Sequence, residues 1–506
     1  MSAAAEGAQR WWETRAALAA ALLLSMMPLL WPTVPPLYDL PDHLGRYHVM
    51  ADIAGSPDLQ RHWTFEWALV PNLGVDLLVL ALAPLLGVVV ATKLVVMAIP
   101  ALTVLALFVL SRVATGRVSP AIGFALPLAY AAPFQMGFVN YCLSSALALL
   151  ALGGWIAMGR RGRPWLRTAV FAPVVFGLWL VHSSGWGLFG ILAFAADWQR
   201  HKASGKSWIA AGWAAALPLA PLAFPIGLMM MGPGSENGLA AEWQWLGKLL
   251  WLMTVLRDRW MWFDILSVAV MLVALYVGFR SPSMRFDARL GWPALAALAT
   301  FLALPWLMVG GAYVDMRLLP IALALGLLAI TRRPGAPGEA EGVVAVLGAV
   351  FFVQRMAAAT ASLFIAGNLQ AEAASVLPAL PRGAAVLVLV KEPCMVAWDS
   401  PRFGHIGGLA VVSRDAFVNT QWTLAGQQLV RPRHAGGFVS DPSQFIRPYS
   451  CPEHPIGLGR VLRGFDRGLF THVWMLDFPA DQGVTRDITP VARAGRSVLY
   501  RVTPRR

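Results

Sequence analysis

The chain is poor in charge and poorer still in acid: of its 506 residues 13% are Asp, Glu, Lys or Arg, and 27 are acidic. Soluble domains carry about a quarter charged residues, so this scarcity excludes an ordinary water-soluble globule. Cysteine is scarce too, with three in all, and their placement fits no metal framework. Cys142 sits in an apolar run, while Cys394 and Cys451 share the tail. The two tail thiols can pair if the tail lies outside the cytoplasm, and two unpaired thiols fit the sequence equally well. There is no GxxxxGK[ST], no GxGxxG after a strand, no paired CxxC and no HExxH, and the glycines of SENGLAAEW and GHIGG lack the context a nucleotide site requires. Solenoid repeats and heptads are missing as well, and the one biased tract is the linker RRPGAPGEAEG at 332–342.

Apolar residues fill the chain instead: 58% are hydrophobic and the mean hydropathy is +0.60. Several apolar runs are long enough to cross a hydrocarbon core of about 30 Å as helices, which predicts a polytopic membrane protein held in a lipid bilayer. A formal charge of +13 would point to nucleic acid in a soluble chain. Here much of it lies in short connections between apolar runs, where it reads as topology, and no nucleic-acid partner is expected.

The arginines orient the chain. A first span at about 16–34 follows Arg10 and Arg15 and lacks the small-residue cleavage site of a signal peptide, so it is expected to be retained with its start in the cytoplasm. The apolar run 73–90 contains Gly74, Asp76 and Pro84 and follows Pro71, which suits an interfacial or broken helix better than a plain span. With the second crossing placed at about 92–110, short loops on one side collect sixteen basic residues, from Arg10 and Arg15 through Arg160, Arg161 and Arg163 to Arg332 and Arg333, against seven on the other side. The remaining crossings are expected near 120–138, 142–158, 168–182, 185–198, 208–229, 261–279, 291–310, 317–331 and 342–364. That makes about eleven transmembrane helices, with the C-terminus outside.

Composition changes near residue 370. Prolines and polar residues rise, and β-rich runs appear at 384–390, 409–413, 472–478 and 497–502. The expected organisation is an all-α membrane domain over 1–369, with a first external loop at 35–91, and a small mixed α/β domain over 370–506 on the external face.

In this topology the polar residues that interrupt apolar stretches gather at the outer helix ends. They are Asp39, Asp42, His43, Arg46 and His48 in YDLPDHLGRYH; Asn140 and Tyr141 in MGFVNYCLSS; His182 in WLVHSSGW; Glu236 and Glu242 in a loop; and Asp315 with Arg317 in GAYVDMRLLP. Ionisable groups at membrane depth mark function by default, because desolvation disfavours them unless a partner or substrate compensates. Pro41 favours a first helical turn, which puts Asp39 or Leu40 at the cap and Asp39, Asp42 or His43, and Arg46 on one face. An ionised Asp39 can accept a hydroxyl proton, Asp42 and His43 can hold Mg or Mn, and Arg46 can meet a phosphate. The plain alternative is a capped surface helix with an Asp42–Arg46 ion pair. Arg317 suits a phosphate through its planar fork, or else contacts Asp315 or snorkels. His182 fits a phosphate ligand, a metal ligand or a hydrogen-bonded packing residue, and His43, His48, Asn140, Tyr141 and Glu236 are candidates for the acceptor or a metal.

An acidic DxPDHxxR cluster after the first helix, an interfacial stretch before the second, an RLLP arginine late in the helical half and a C-terminal domain together resemble the GT-C superfamily of glycosyltransferases. PDHLGRYHV, PNLGVDLLV, GFVNYCLSSALALL and HIGGLAVVSRDAFVNTQW further resemble a group of bacterial multi-span proteins of that type. The resemblance implies inverting transfer of a sugar from a polyprenyl-phosphate donor to an extracytoplasmic glycan, lipid or protein acceptor, at the bacterial inner membrane. By position it implies Asp39 as first choice for the general base and Asp42 as second, Arg317 as the donor-phosphate ligand, and Arg46 and His182 as further phosphate candidates. The chain departs from the pattern in showing DxxD followed by His43 where parts of the superfamily carry adjacent acids, which leaves base and metal open. Competing readings are a carrier or flippase, whose midplane sites and paired repeats are not found, a membrane assembly protein, and a ligase that uses a lipid diphosphate.

Overall fold

The computed structural model describes residues 10–231, 241–308, 311–394, 398–399, 402–421, 426–451, 456–479 and 487–503. Among the described residues six helices are long and apolar enough to cross a membrane: Val88–Thr115, Val139–Gly159, Pro164–Val181, Trp208–Met231, Met261–Arg280 and Glu339–Ala379. Four shorter apolar helices accompany them, Arg15–Leu29, Gly74–Leu86, Ala288–Ala303 and Leu319–Leu328. The helix Ser183–Ala203 is long enough but carries Asp197, Arg200 and Lys202 in its last turns.

One stretch expected to be broken is so, and one expected span is not a single helix. The run 73–90 is two helices meeting at Gly87, and the first has 13 residues, about 20 Å at 1.5 Å per residue. The expected crossing at 120–138 is no single helix: a turn of helix Ile122–Ala125, a 3-10 segment Leu126–Tyr130 and a further turn Ala132–Gln135 follow one another. Pro127 and Pro133 have no amide hydrogen to give to a continuous helix. The segment is buried almost throughout, so its irregular backbone is shielded by protein and not presented to lipid.

The basic connections meet at one end. Arg117 pairs with Glu13 at 3.0 Å, Arg10 and Arg332 both reach Glu341, Arg289 donates to the Thr115 carbonyl, Arg160 to Val113 and Arg200 to Gly159. Gly159 ends a 21-residue helix that begins at Val139, a length of about 32 Å, enough to cross a hydrocarbon core of about 30 Å. Deeper charges are paired: Arg167 with Asp197, Arg355 with Asp264 at 2.7 Å, Lys248 with Asp315 at 3.0 Å and Arg46 with Asp76 at 3.0 Å, all nearly inaccessible. Removing one partner of such a pair strands a buried charge, at a cost of about 3–5 kcal/mol.

The C-terminal sheet is centred on Ala385–Lys391, whose AVLVLV run is buried at every position, the pattern of a strand covered on both faces. His472–Leu476 lies parallel on one side, and Phe417–Val418 and Phe445–Ile446 pair in parallel with its two ends. Ser497–Val502 and Ile488–Ala494 extend the sheet antiparallel. The run 409–413, expected as a strand, lies in the helix Gly408–Arg414, since five apolar-rich residues carry too little period to separate the two states. This helix packs on the first-loop helix Leu40–Asp52 so closely that a Cβ on Gly408 would sit 1.9 Å from the Pro41 carbonyl oxygen.

The expected division at 369/370 falls inside the helix Glu339–Ala374. Ala373 belongs to the core under the sheet, and so do Val49, Met50, Leu59 and Trp63 of the first loop. Trp63–Phe65 also pairs antiparallel with Val430–Pro432. The first loop and the tail therefore share one hydrophobic core, which places first-loop side chains against the C-terminal domain.

Candidate functional site

A cavity of about 840 Å³ lies where the helical half, the first loop and the C-terminal domain meet. Ala132, Met136, Val139 and Met316 give it an apolar side, whereas Gln428, Ser440, Asp441 and Arg447 come from the sheet domain. Val139 begins the helix that ends at Gly159, so the cavity lies at the helix ends opposite the basic cluster.

Asp39 is the N-cap of Leu40–Asp52, but its carboxylate caps nothing: the residue is already in helical φ/ψ, and its side chain lies against the cavity. Its backbone is fixed by donation to the Met136 carbonyl at 3.0 Å. Burial raises the carboxyl to about 7, with Asp441 and Asp42 adding to the rise and the charges of His405 and Arg317 opposing it. A buried carboxylate of that basicity suits proton transfer near neutral pH.

Asp42 has a different environment. Its Oδ1 accepts from Thr420 Oγ1 at 2.8 Å and Gln421 Nε2 at 3.0 Å, and Oδ2 meets His405 Nδ1 at 2.7 Å. Fully enclosed and saturated from the C-terminal domain, it is poorly placed to be a second base. It does not suit a metal either: among the described residues no group of three or more His, Cys, Asp or Glu side chains is arranged to hold a metal ion. His43 lines the cavity and stacks on Tyr47. Burial and the charges of Arg46 and His405 hold its imidazole well below the usual range, in the neutral form.

Arg317 lines the same cavity. Its Nη1 lies 3.4 Å from Ser184 Oγ and its Nη2 3.3 Å from the Ala312 carbonyl, while the rings of Phe138 and Tyr141 flank the guanidinium at 5.0 and 5.4 Å. Nε is buried without a hydrogen-bond partner. Asp315, its expected neighbour, binds Lys248 instead. Among the described residues no carboxylate comes within ion-pair distance of Arg317. A planar cation that lines a cavity and has no carboxylate within ion-pair distance among the described residues is equipped to receive an anion.

Other expected site residues have structural partners. Arg46 is buried against Asp76, so it neither pairs with Asp42 nor lines the cavity. His48 bridges Asp52 and Asp415 outside the cavity. Asn140 lines the cavity, yet its side chain accepts from Val75 N and donates to Asp76 and the Asn72 carbonyl. Tyr141 is in the cavity wall and donates to the Arg317 carbonyl. His182 is there too, its Nδ1 accepting from Ser184 N as the cap of the next helix. Glu236 lies outside the described residues.

Several cavity groups were not singled out from sequence: His405, Asp441, and the chain Tyr38 Oη to Glu392 to Arg447. The signal for His405 was the glycine-flanked histidine of GHIGG, which no nucleotide pattern explains. Arg402 pairs with Asp258 at 2.6 Å and also donates to Gln135, tying the C-terminal domain to the helical half. Cys394 and Cys451 form a disulfide near Glu392 and Arg447 in sequence.

No family model matches the chain, and no curated protein matches it. Among solved structures it is similar to the crystal structure of ArnT from Cupriavidus metallidurans bound to undecaprenyl phosphate, at 12% identity over 96% of each chain with a TM-score of 0.47. It is similar to the apo form of that protein at 13% identity, again over 96% of each chain, with a TM-score of 0.46. The cryo-EM structure of the arabinofuranosyltransferase AftD from Mycobacteria is similar at 14% identity over 97% of this chain and 40% of that one, with a TM-score of 0.35.

Proposed function

We propose that the chain is an integral membrane glycosyltransferase that moves a sugar, with inversion, from a polyprenyl-phosphate donor to an extracytoplasmic glycan, lipid or protein acceptor. The observation that carries this reading is the pairing in one cavity of a buried carboxylate of near-neutral basicity, Asp39, with a guanidinium that no carboxylate neutralises among the described residues, Arg317. Asp39 accepts the acceptor hydroxyl's proton as its oxygen bonds to the anomeric carbon. The carbon–oxygen bond to phosphate breaks on the opposite face, its electron pair staying on the phosphate, whose growing charge Arg317 meets. Phosphate leaves readily, so the scheme needs little acid assistance.

The lipid fits the surroundings. The helix Trp245–Thr254 puts Trp251 and Thr254 in the cavity wall while Trp245, Leu246 and Leu249 are well exposed, the character of a helix lying in a membrane interface. A donor diffusing in the bilayer would meet the cavity at that side. The gathered arginines at the opposite end support a cytoplasmic N-terminus, and the Cys394–Cys451 disulfide supports an oxidising compartment for the tail. The site and the sheet domain would then face the periplasm or exterior.

The test is release of polyprenyl phosphate from a panel of polyprenyl-phosphate sugars by the purified protein in nanodiscs, with cell-envelope acceptors added. Release that needs acceptor and disappears in Asp39→Asn is expected. Full transfer by that variant removes Asp39 as the base, and movement of the lipid across the bilayer without sugar transfer favours the carrier reading.

A further inference from the structure

Resting on that reading, we propose that His405 of the C-terminal domain is a positioning residue for the base: its ring, anchored on Asp42, faces Asp39 and tunes that carboxylate for proton transfer. The domain that follows the membrane helices would then complete the catalytic site and not merely cover it.

The ring is held from several directions. Nδ1 meets Asp42 Oδ2 at 2.7 Å and Asp441 Oδ1 at 3.5 Å, and Nε2 lies 3.7 Å from Asp39 Oδ1. Tyr38 and Phe445 pack edge-on against it at 5.6 and 5.9 Å. Its backbone is left-handed, φ 61°, uncommon for a residue with a side chain, and its N–H donates to Gln444 Oε1 at 2.9 Å. The preceding Gly404 leaves room for Tyr38, whose ring a Cβ there would approach to 2.4 Å. Such an enforced conformation is a reason to look for a role.

The electrostatics follow from this geometry. His405 faces Asp39 and Asp42 of the first loop and Asp441 of the 3-10 helix Asp441–Gln444. Asp39 in turn faces His405, Asp441, Asp42 and Arg317. Burial alone would lower the imidazole, but the hydrogen bond and charge of Asp42, then Asp441 and Asp39, carry it up to about 10. It is therefore a cation throughout the range in which Asp39 titrates. A separation of 3.7 Å is a charge contact and not a hydrogen bond, so the imidazolium favours ionised Asp39 while leaving its lone pairs to the acceptor. Asp42, saturated by Thr420 and Gln421, keeps the histidine charged and aimed.

The decisive experiment is the pH profile of kcat/KM for His405→Gln and His405→Lys beside wild type. An opposite charge within about 4–6 Å moves a carboxyl by about 1–3 units. The acidic limb of His405→Gln should therefore move up by that amount, with transfer recovering toward wild type at high pH and His405→Lys restoring the limb. An unmoved limb in an active His405→Gln enzyme overturns the proposal. A second reading needs no turnover: in 15N-histidine NMR of the solubilised protein, the signal absent from His405→Gln should stay protonated past pH 8. Its midpoint should fall in both Asp42→Asn and Asp39→Asn. An unchanged midpoint in Asp39→Asn overturns the coupling. If wild type transfers from no polyprenyl-phosphate sugar, the functional reading fails, while the NMR titration still decides whether the two groups are coupled.

Discussion

Arg317→Met separates a ligand-binding cation from a structural one, because the two roles predict opposite balances of activity and stability. The substitution removes two long hydrogen bonds, at 3.4 and 3.3 Å, and two cation–π contacts. The former contribute about 0.5 kcal/mol each at that length and the latter about 1 kcal/mol each. Against this loss of about 3 kcal/mol stands relief of the desolvation penalty of a buried ion, itself several kcal/mol. The net change in stability should fall within about 2 kcal/mol of zero. Arg355→Met is the control: it strands Asp264, whose Oδ1 accepts from Arg355 at 2.7 Å, and should cost about 3–5 kcal/mol. Catalysis should respond in the reverse order. Removing a donor aimed at developing charge lowers kcat about 10²–10³-fold, so Arg317→Met should be folded and nearly inactive. Thermal unfolding in detergent adds a binding readout, since polyprenyl phosphate at 100 times its Kd stabilises wild type by about 2.7 kcal/mol. It should leave Arg317→Met almost unmoved. A variant that transfers sugar at the wild-type rate, or that unfolds as readily as Arg355→Met, refutes the assignment of Arg317 to the donor phosphate.

Three further outcomes are expected. Because Asp39 must be ionised to accept a proton and burial raises it to about 7, kcat/KM should fall about tenfold per pH unit below neutrality and level off above it; a flat profile from pH 5 to 8 contradicts this. Gly408→Ala should cut transfer at least about tenfold and lower thermal stability by about 1–3 kcal/mol, since its methyl would strike the Pro41 carbonyl oxygen and separate Asp42 from His405; an active, stable variant shows that the two helices yield without consequence. Cysteines placed at the exposed Ala54 and Arg161 should react with an impermeant maleimide from opposite sides of sealed vesicles, and labelling from one side sinks the orientation.

Much of the framework is legible because it rests on local signals. Long apolar runs locate the helices Val88–Thr115, Val139–Gly159 and Met261–Arg280, and AVLVLV marks the central strand of the tail. The same runs misread 120–138, where Pro127 and Pro133 break the helix and burial inside protein tolerates the break. Asp39 and Arg317 stood out as rare charges beside apolar sequence, and both line the cavity. Arg46 and His48 stood out equally, but their partners Asp76 and Asp415 lie 30 and 367 residues away. No spacing rule distinguishes a charge neutralised by such a partner from one left facing a cavity.

That limit explains both why the partners of Asp42 were not legible and why His405 was passed over. As an i, i+4 neighbour of Arg46, Asp42 reads as half of a surface pair or as a second base. In space its carboxylate is taken by Thr420, Gln421 and His405, more than 360 residues along the chain. What brings them together is packing: the first loop supplies Val49, Met50 and Trp63 to the core of the sheet domain, and Gly408 lets the two helices approach to backbone contact. The carboxylates of DxxD therefore differ in depth: the C-terminal domain covers Asp42 with three side-chain contacts, while Asp39 is left at the cavity wall, where the proposed mechanism uses it as the base. On this argument, loosening the contact between first loop and tail should make the two aspartates more alike. In Gly408→Ala, carboxyl-directed labelling of Asp42 should rise toward that of Asp39, and continued protection of Asp42 would show that its environment does not depend on the docked domain.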